Sequence, residues 1–349
     1  MQNLKSKTIS IFSLFLAVIL FVPCFITTSF ASENTNDFSN IELYPGGMAF
    51  GVKISSPGLT IVKFTSKRGN DISSAYQAGL REGDIITKVN GKKVNSIENF
   101  VNEIDKAGSN TIEIVAIRNN QELKFKVKPK YSTEDGKYKT GIWAKDSTTG
   151  IGTVTFINPG NNSFGGLGHA ICDSSSGRII PLAKGTVMDV SINGVIKGEV
   201  GSAGELKGAF LNKRIGVLNK NCSCGVFGVL SSASITPKED KMKICKKEDI
   251  KEGDAYIWCT LDEKGPQKYK VKISNIDYSN SSIKNFKVKI TDPQLIKTAG
   301  GIVQGMSGSP IIQDGKIVGA VTHVLINDPT SGYGIFIENM LNSMPNILK

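Results

Sequence analysis

At 349 residues the chain has room for two domains of ordinary size, each burying its own core. Its composition is globular, with 40% hydrophobic residues and 37 glycines that suit turns between many short strands. The net charge of +11 is spread as lysines along strands and turns. With no basic stripe of interleaved aromatics, that excludes a nucleic-acid binder and points to a protein working near anionic membrane or cell wall.

Lys5 and Lys7 precede an uncharged apolar run from Ile9 to Phe30, and Ser29-Phe30-Ala31 resembles a small-x-small signal-peptidase site. About 20 apolar residues also suffice to span a bilayer, so residues 1–31 read as either a cleaved leader or a membrane anchor. On both readings the remainder is exported. Residues 32–43, polar from Ser32 to Ser39, read as a linker.

From Tyr44 the chain resembles a PDZ domain of the bacterial protease type, over residues 44–130. The resemblance rests on Ala78-Gly79-Leu80, Gly83-Asp84-Ile85-Ile86 and Val89-Asn90-Gly91. Physically, Ser74 to Ala78 makes a short helix ended by Gly79, Ile85 to Val89 a strand, and Ile97 to Ala107 a second helix with Phe100, Val101 and Ile104 on its apolar side. Thr111 to Ile117 and Leu123 to Val127 close the sheet. PDZ domains bind peptides by adding a strand. The resemblance therefore implies that Gly46, Gly47, Met48, Ala49 and Phe50 hold a peptide carboxylate while Gly51 to Ile54 pair with the peptide. The bland alternative is a spacer or a lid.

Residues 128–146 read as a charged crossing, and 140–349 as a second domain. Short runs with Gly and Asn turns come one after another: Gly150 to Ile157, Ser163 to Ile171, Arg178 to Leu182, Thr186 to Ile192, and Val195 to Val200 after Asn193-Gly194. Gly208 to Leu218, Val226 to Leu230, Ala255 to Thr260, Tyr269 to Ile273 and Phe286 to Ile290 continue the pattern. It predicts a barrel or sandwich. Ile311 to His323 reads as a hairpin turning at Asp314-Gly315, and Ile337 to Met344 as a closing helix.

The chemistry centres on Gly301 to Pro310 (GIVQGMSGSP), where Ser307 sits between Gly305 and Gly308. Flanking glycines allow a tight turn and keep bulk away from an attacked carbonyl. In the chymotrypsin-like arrangement the N–H groups of Ser307 and Gly305 would form the oxyanion hole. An α/β-hydrolase elbow fits poorly, because it wants glycine at Ser309 and a helix after it. Only two histidines exist, so the general base is nearly forced. His169, in a glycine-rich stretch, is the favoured base, and His323 a packed or substrate-contacting residue in the strand after the nucleophile. For the carboxylate, spacing does not choose among Asp173, Asp189 and Asp292. Cys24, Cys172, Cys222, Cys224, Cys245 and Cys259 make no complete disulfide framework once the leader is set aside. Cys222-Ser223-Cys224 lacks a second ligand pair, and no H-E-x-x-H occurs, so neither metal nor cofactor is expected.

Residues 301–341 (GIVQGMSGSPIIQDGKIVGAVTHVLINDPTSGYGIFIENML), with FGGLGHAICD upstream and a PDZ domain before both, resemble the stage IV sporulation protein B family. These are SpoIVB-type serine peptidases with a PDZ domain, exported by spore-forming Firmicutes. The resemblance implies a mostly β fold, with a PDZ domain (α+β) followed by a chymotrypsin-like double β-barrel. It also implies a triad of His169, Asp292 and Ser307, of which Asp292 departs from ordinary chymotrypsin-like spacing. Further, it implies a signalling endopeptidase in the space between the forespore membranes, one that cuts itself near its N-terminus. It would also cleave an inhibitory membrane-protein partner, triggering sigma-factor processing in the mother cell. The alternative is an inactive PDZ adaptor of the spore envelope.

Overall fold

The structure, a computed structural model, describes residues 38, 40–67, 72–174, 176–232, 240–278 and 283–344. The leader expected over residues 1–31 lies outside them. The linker expected as far as residue 43 is corrected at its end, because Phe38 and Leu43 are already buried in one cluster with Phe156 and Trp258. Strand β1 (Glu42–Pro45) comes next, then β2 (Ala49–Ser55), which buries Phe50, Val52 and Ile54.

The PDZ sheet starts only after β2. It comprises β3 (Leu59–Phe64), helix α1 (Ser74–Gln77), β4 (Ile85–Val89), β5 (Lys92–Lys93) and helix α2 (Ile97–Ala107). Strands β6 (Ile112–Arg118) and β7 (Gln121–Val127), a hairpin of β8 (Lys130–Ser132) and β9 (Lys137–Lys139), and β10 (Ile142–Lys145) complete it. The strand order is β10-β3-β4-β6-β7, with β5 beside β4. Helix α2 begins where the Ser96 hydroxyl accepts from the Asn99 N–H at 3.2 Å, with Glu98 in the first turn. Its buried Phe100 and Ile104 each contribute roughly 1.5–3 kcal/mol. Asp84, the acid of the signature, is fully buried and takes both arms of Arg118, each at 2.7 Å, and the Arg81 N–H at 2.8 Å. Removing Arg118 would strand a buried charge at a cost of about 3–5 kcal/mol.

The chain then returns to the sheet it left. Strands β11 (Thr148–Ile157), β12 (Ser163–Gly166), β13 (Lys184–Ile196), β14 (Glu205–Cys222) and β15 (Gly225–Leu230) form a first barrel with β2. Its order is β12-β15-β14-β13-β2-β11, closed by pairing of β11 with β12. The PDZ sheet is thus inserted between two adjacent barrel strands, which corrects the expected 44–130 and 140–349 boundaries. Asn193-Gly194 does not turn: β13 runs through it with a register shift, because the long β14 offers a partner along its whole length. The turn comes at Glu199–Ser202. Arg178 to Leu182 is a loop held by one bridge, Cys172 to Ile179. Short β16 (Met242–Lys243) pairs with β1.

The second barrel consists of β17 (Gly253–Thr260), β18 (Pro266–Ser274), β19 (Phe286–Ile290), β20 (Pro310–Gln313), β21 (Lys316–Leu325) and β22 (Asp328–Phe336), closed in the order β17-β18-β19-β22-β21-β20. Alternation drives it: β18 turns Tyr269, Val271 and Ile273 inward and Lys268, Lys270 and Lys272 outward. Helix α3 (Pro293–Ala299) precedes the serine segment, and α4 (Ile337–Ser343) comes after β22. The chain is therefore mostly β, a PDZ sheet with a double barrel, and Met306 lies in the second barrel's core beside Val288 and Val321.

Candidate active site

The serine segment is bound from both barrels. The Gly308 N–H donates to the Val321 carbonyl at 2.7 Å, within the second barrel. From β11 of the first, the Thr153 N–H donates to Ser307 O at 3.0 Å, the Thr153 hydroxyl to Gly305 O at 2.8 Å, and the Thr155 hydroxyl to Gly308 O at 2.8 Å. Gly308 allows this approach: a Cβ there would stand 2.1 Å from Thr153 O, and its φ is +94°. Sequence reasoning missed Thr153 and Thr155, because a threonine in an alternating strand carries no mark of the loop it faces.

Among the described residues the N–H groups of Gly305 and Ser307 have no partner, while those of Met306, Gly308 and Ser309 are all bonded to carbonyls. Ser309 is fully buried with its hydroxyl on Met306 O at 2.6 Å, so it presents nothing to a substrate. The Ser307 hydroxyl is half-buried and donates to the Thr322 carbonyl at 2.8 Å.

His169 is reached from β12 through Leu167 and Gly168. A Cβ on Gly168 would stand 2.9 Å from the Thr322 Cγ2, so only glycine lets this stretch lie directly on β21. Asn221 of β14 anchors the residues beyond the histidine: its side chain accepts from the Ile171 N–H at 2.8 Å and donates to the carbonyls of Ile171 and Ile180, each at 2.9 Å. The His169 Nδ1 lies 2.9 Å from the Ala170 carbonyl. A carbonyl only accepts, so Nδ1 carries the proton and Nε2 keeps its lone pair. Burial holds His169 below the ordinary histidine range, against the opposing pull of that hydrogen bond. A cleft of about 410 Å³ contains His169 and Ser307 together, walled by Val52, Ile54, Leu167 and Gln304.

The candidate carboxylates are each engaged with other partners. Asp292 caps α3: Oδ1 accepts from the N–H groups of Gln294 and Leu295 at 2.9 and 3.2 Å, and Oδ2 from that of Lys270 at 3.2 Å. The hydrogen bond expected from His169 to Asp292 is not made among the described residues: the His169 Nδ1 is on the Ala170 carbonyl, and the donors on Asp292 are backbone N–H groups. Asp173 is bound by Lys145 at 2.9 Å and by Ser176, and Asp189 faces Lys213 at 3.7 Å. The His169 ring packs instead against His323, with ring centroids 5.0 Å apart.

The carboxylate loop expected at Gly46 to Phe50 is also corrected. The Gly46 and Gly47 N–H groups donate to Thr155 O and Val154 O at 2.9 and 2.8 Å. Strand β2 is paired on both edges, with β11 and β13, so no peptide can add to it. An apolar strand after a glycine loop suits either sheet, and the barrel takes it. The edge beside β3 belongs to β10, in what read as a charged crossing, with Ile142 opposite Phe64. The PDZ sheet meets the chain beyond His169: Arg178 donates to Asn119 Oδ1 at 3.1 Å and Glu82 O at 3.3 Å, and Lys145 of β10 binds Asp173.

Among protein families, the SpoIVB peptidase S55 model matches residues 136–341, and a PDZ domain model matches residues 67–118. Three solved structures are similar in part. The PDZ domain of an SdrC-like protein from Listeria monocytogenes is 20% identical, covering 26% of this chain and 90% of that one, with a TM-score of 0.23. A protease from M. tuberculosis, in its active form, is 13% identical, with coverages of 56% and 72% and a TM-score of 0.29. A thermostable serine protease from an extremophilic microorganism is 11% identical, with coverages of 56% and 90% and a TM-score of 0.32.

Proposed function

The chain belongs to the SpoIVB peptidase S55 family and is a serine endopeptidase, and on that premise we propose that Ser307 is its nucleophile and His169 its general base. The N–H groups of Gly305 and Ser307 are the oxyanion hole. The carrying observation is that His169 and Ser307, one from each barrel, line a single cleft. The Ser307 hydroxyl leaves Thr322 O, turns to His169 Nε2 and gives up its proton as Oγ attacks the scissile carbonyl. The two uncommitted N–H groups receive the developing oxyanion. His169 then returns the proton to the leaving amine, and water repeats the sequence on the acyl-enzyme.

Its substrates are peptides or proteins, as a peptidase joined to a PDZ domain implies. We infer that it acts as an exported sporulation signal in the space between the forespore membranes, cutting itself near the N-terminus and then an inhibitory membrane-protein partner. The resemblance of residues 301–341 and the apolar run before Ser32 support this reading. Peptide addition falls to the outer edge of β10, and the contacts of Arg178 and Lys145 carry its effect to the stretch after His169.

A serine-reactive phosphonate tests the chemistry. Wild type should label and Ser307→Ala should not, with a fall in kcat of about 10⁴ or more and an unchanged thermal melt. Labelling that survives in Ser307→Ala would overturn the assignment. An unlabelled wild type would instead fit the adaptor. Mass spectrometry of the mature N-terminus from sporulating cells tests self-cleavage: the same N-terminus in wild type and Ser307→Ala would sink it.

A further inference from the structure

The second histidine has a place of its own in this site. His323 lies on β21 in register with Tyr333 of β22, next to Thr322, whose carbonyl holds the Ser307 hydroxyl. The glycine at position 168 lets the chain carrying His169 settle onto this strand. The only two histidines of the sequence therefore finish ring against ring, 5.0 Å between centroids and tilted by 37°. The His323 Nδ1 is buried and has no hydrogen-bond partner among the described residues. An unpaired buried nitrogen is a standing cost that a phenylalanine or leucine would not carry. Meanwhile Asp173, Asp189 and Asp292 have other partners, and among the described residues the His169 ring is hydrogen-bonded only to a backbone carbonyl.

We propose that His323 is a positioning residue of the catalytic base, holding the His169 ring by aromatic packing at a tilt. This rests on the reading of His169 as general base. When Ser307 attacks, His169 becomes an imidazolium. A neutral aromatic face beside it attracts the charge, whereas a second imidazolium would repel it. The charged and titratable groups around His323 are His169 across the barrel interface, Lys284 before β19 and Tyr333 opposite on β22. Burial comes first, then His169 and Lys284, in keeping His323 uncharged, with a pKa of about 4. At neutral pH both rings are thus uncharged, and the proton released by Ser307 goes to His169, which lines the cleft with the serine, rather than to His323.

The test compares His323→Ala, His323→Phe and His323→Gln in the full chain, using phosphonate labelling, peptide kinetics and NMR titration of His169. The alanine variant should lose about tenfold to a hundredfold in kcat with KM within about threefold of wild type. The His169 titration and the acid limb of the rate profile should move up toward the ordinary histidine value as water enters. Phenylalanine keeps a ring face and should restore kcat to within about threefold, while glutamine should not. If the alanine variant fails to fold, the phenylalanine–glutamine contrast carries the test. An alanine variant with wild-type kcat and unchanged His169 titration would overturn the proposal. So would a changed preference for the residue before the cut at normal turnover, or a glutamine variant more active than phenylalanine. A wild type that does not label would remove the base assignment as well, which separates that failure from this one.

Discussion

Two glycine loops in this chain look alike in sequence and end differently. Gly46-Gly47 and Gly305 to Gly308 both bend sharply, and both read as cradles of backbone N–H groups for an anionic oxygen. In the first, the Gly46 and Gly47 N–H groups are bonded to β11 carbonyls, and the Gly47 carbonyl takes the Thr260 hydroxyl at 2.9 Å. In the second, the carbonyls of Gly305, Ser307 and Gly308 are bound by Thr153 and Thr155 while two N–H groups are left over. The lesson is one of hydrogen-bond accounting. A glycine loop becomes an anion site when its carbonyls are satisfied and its donors are not. A loop whose donors are satisfied joins the framework.

The largest effect that would break this comparison is at Gly47. Its φ is +87°, and a Cβ there would stand 2.9 Å from Trp258 Cβ, between the barrels. Gly47→Val should lower the stability of the peptidase by about 2–4 kcal/mol, read by denaturant unfolding, without altering which peptides the PDZ sheet binds. A variant of normal stability with weakened peptide choice would return the loop to peptide recognition.

A smaller effect sharpens the same distinction for acceptors. Because the Asp292 oxygens cap α3, Asp292→Ala should cost about 0.5–2 kcal/mol in stability. Asp292→Asn, which still caps, should keep kcat within about fivefold of wild type. A uniform fall in kcat of ~10⁴ across a peptide panel would show that Asp292 reaches His169 during turnover after all.

The smallest concerns the uncommitted nitrogen of His323. Its pKa in the fold is about 4, against an ordinary value of 6.5. The unfolded chain therefore binds the proton first as pH falls, and the native state loses stability between pH 6.5 and 4. Above that window the contribution of this group is constant. Melting temperatures across the window should fall less steeply for His323→Phe than for wild type, and parallel curves would contradict the burial of that ring.

Much of this was legible because it is local. The helix from Ile97 to Ala107 is announced by Ser96, Glu98 and the spacing of Phe100 and Ile104. The hairpin at Asp314-Gly315 forms where it was expected, with both residues at positive φ. Strand Phe286–Ile290 comes from alternation alone. The glycine-flanked serine turn was visible for the same reason, since it depends on residue type within a few positions.

What sequence by itself determined about this protein is its inventory: strands, turns, caps, a glycine-flanked serine and two histidines with no third. What only the tertiary structure decided is who meets whom. Strand β2 could join either sheet, since an apolar strand fits any pleated surface with a free edge, and long-range pairing chose the barrel. Asn193-Gly194 could turn or run on, and the length of β14 settled it. Asp292 caps a helix, a use that follows from the N–H groups brought to it at the start of α3. Pairing energies of this kind depend on partners far away in the chain, which no local pattern records.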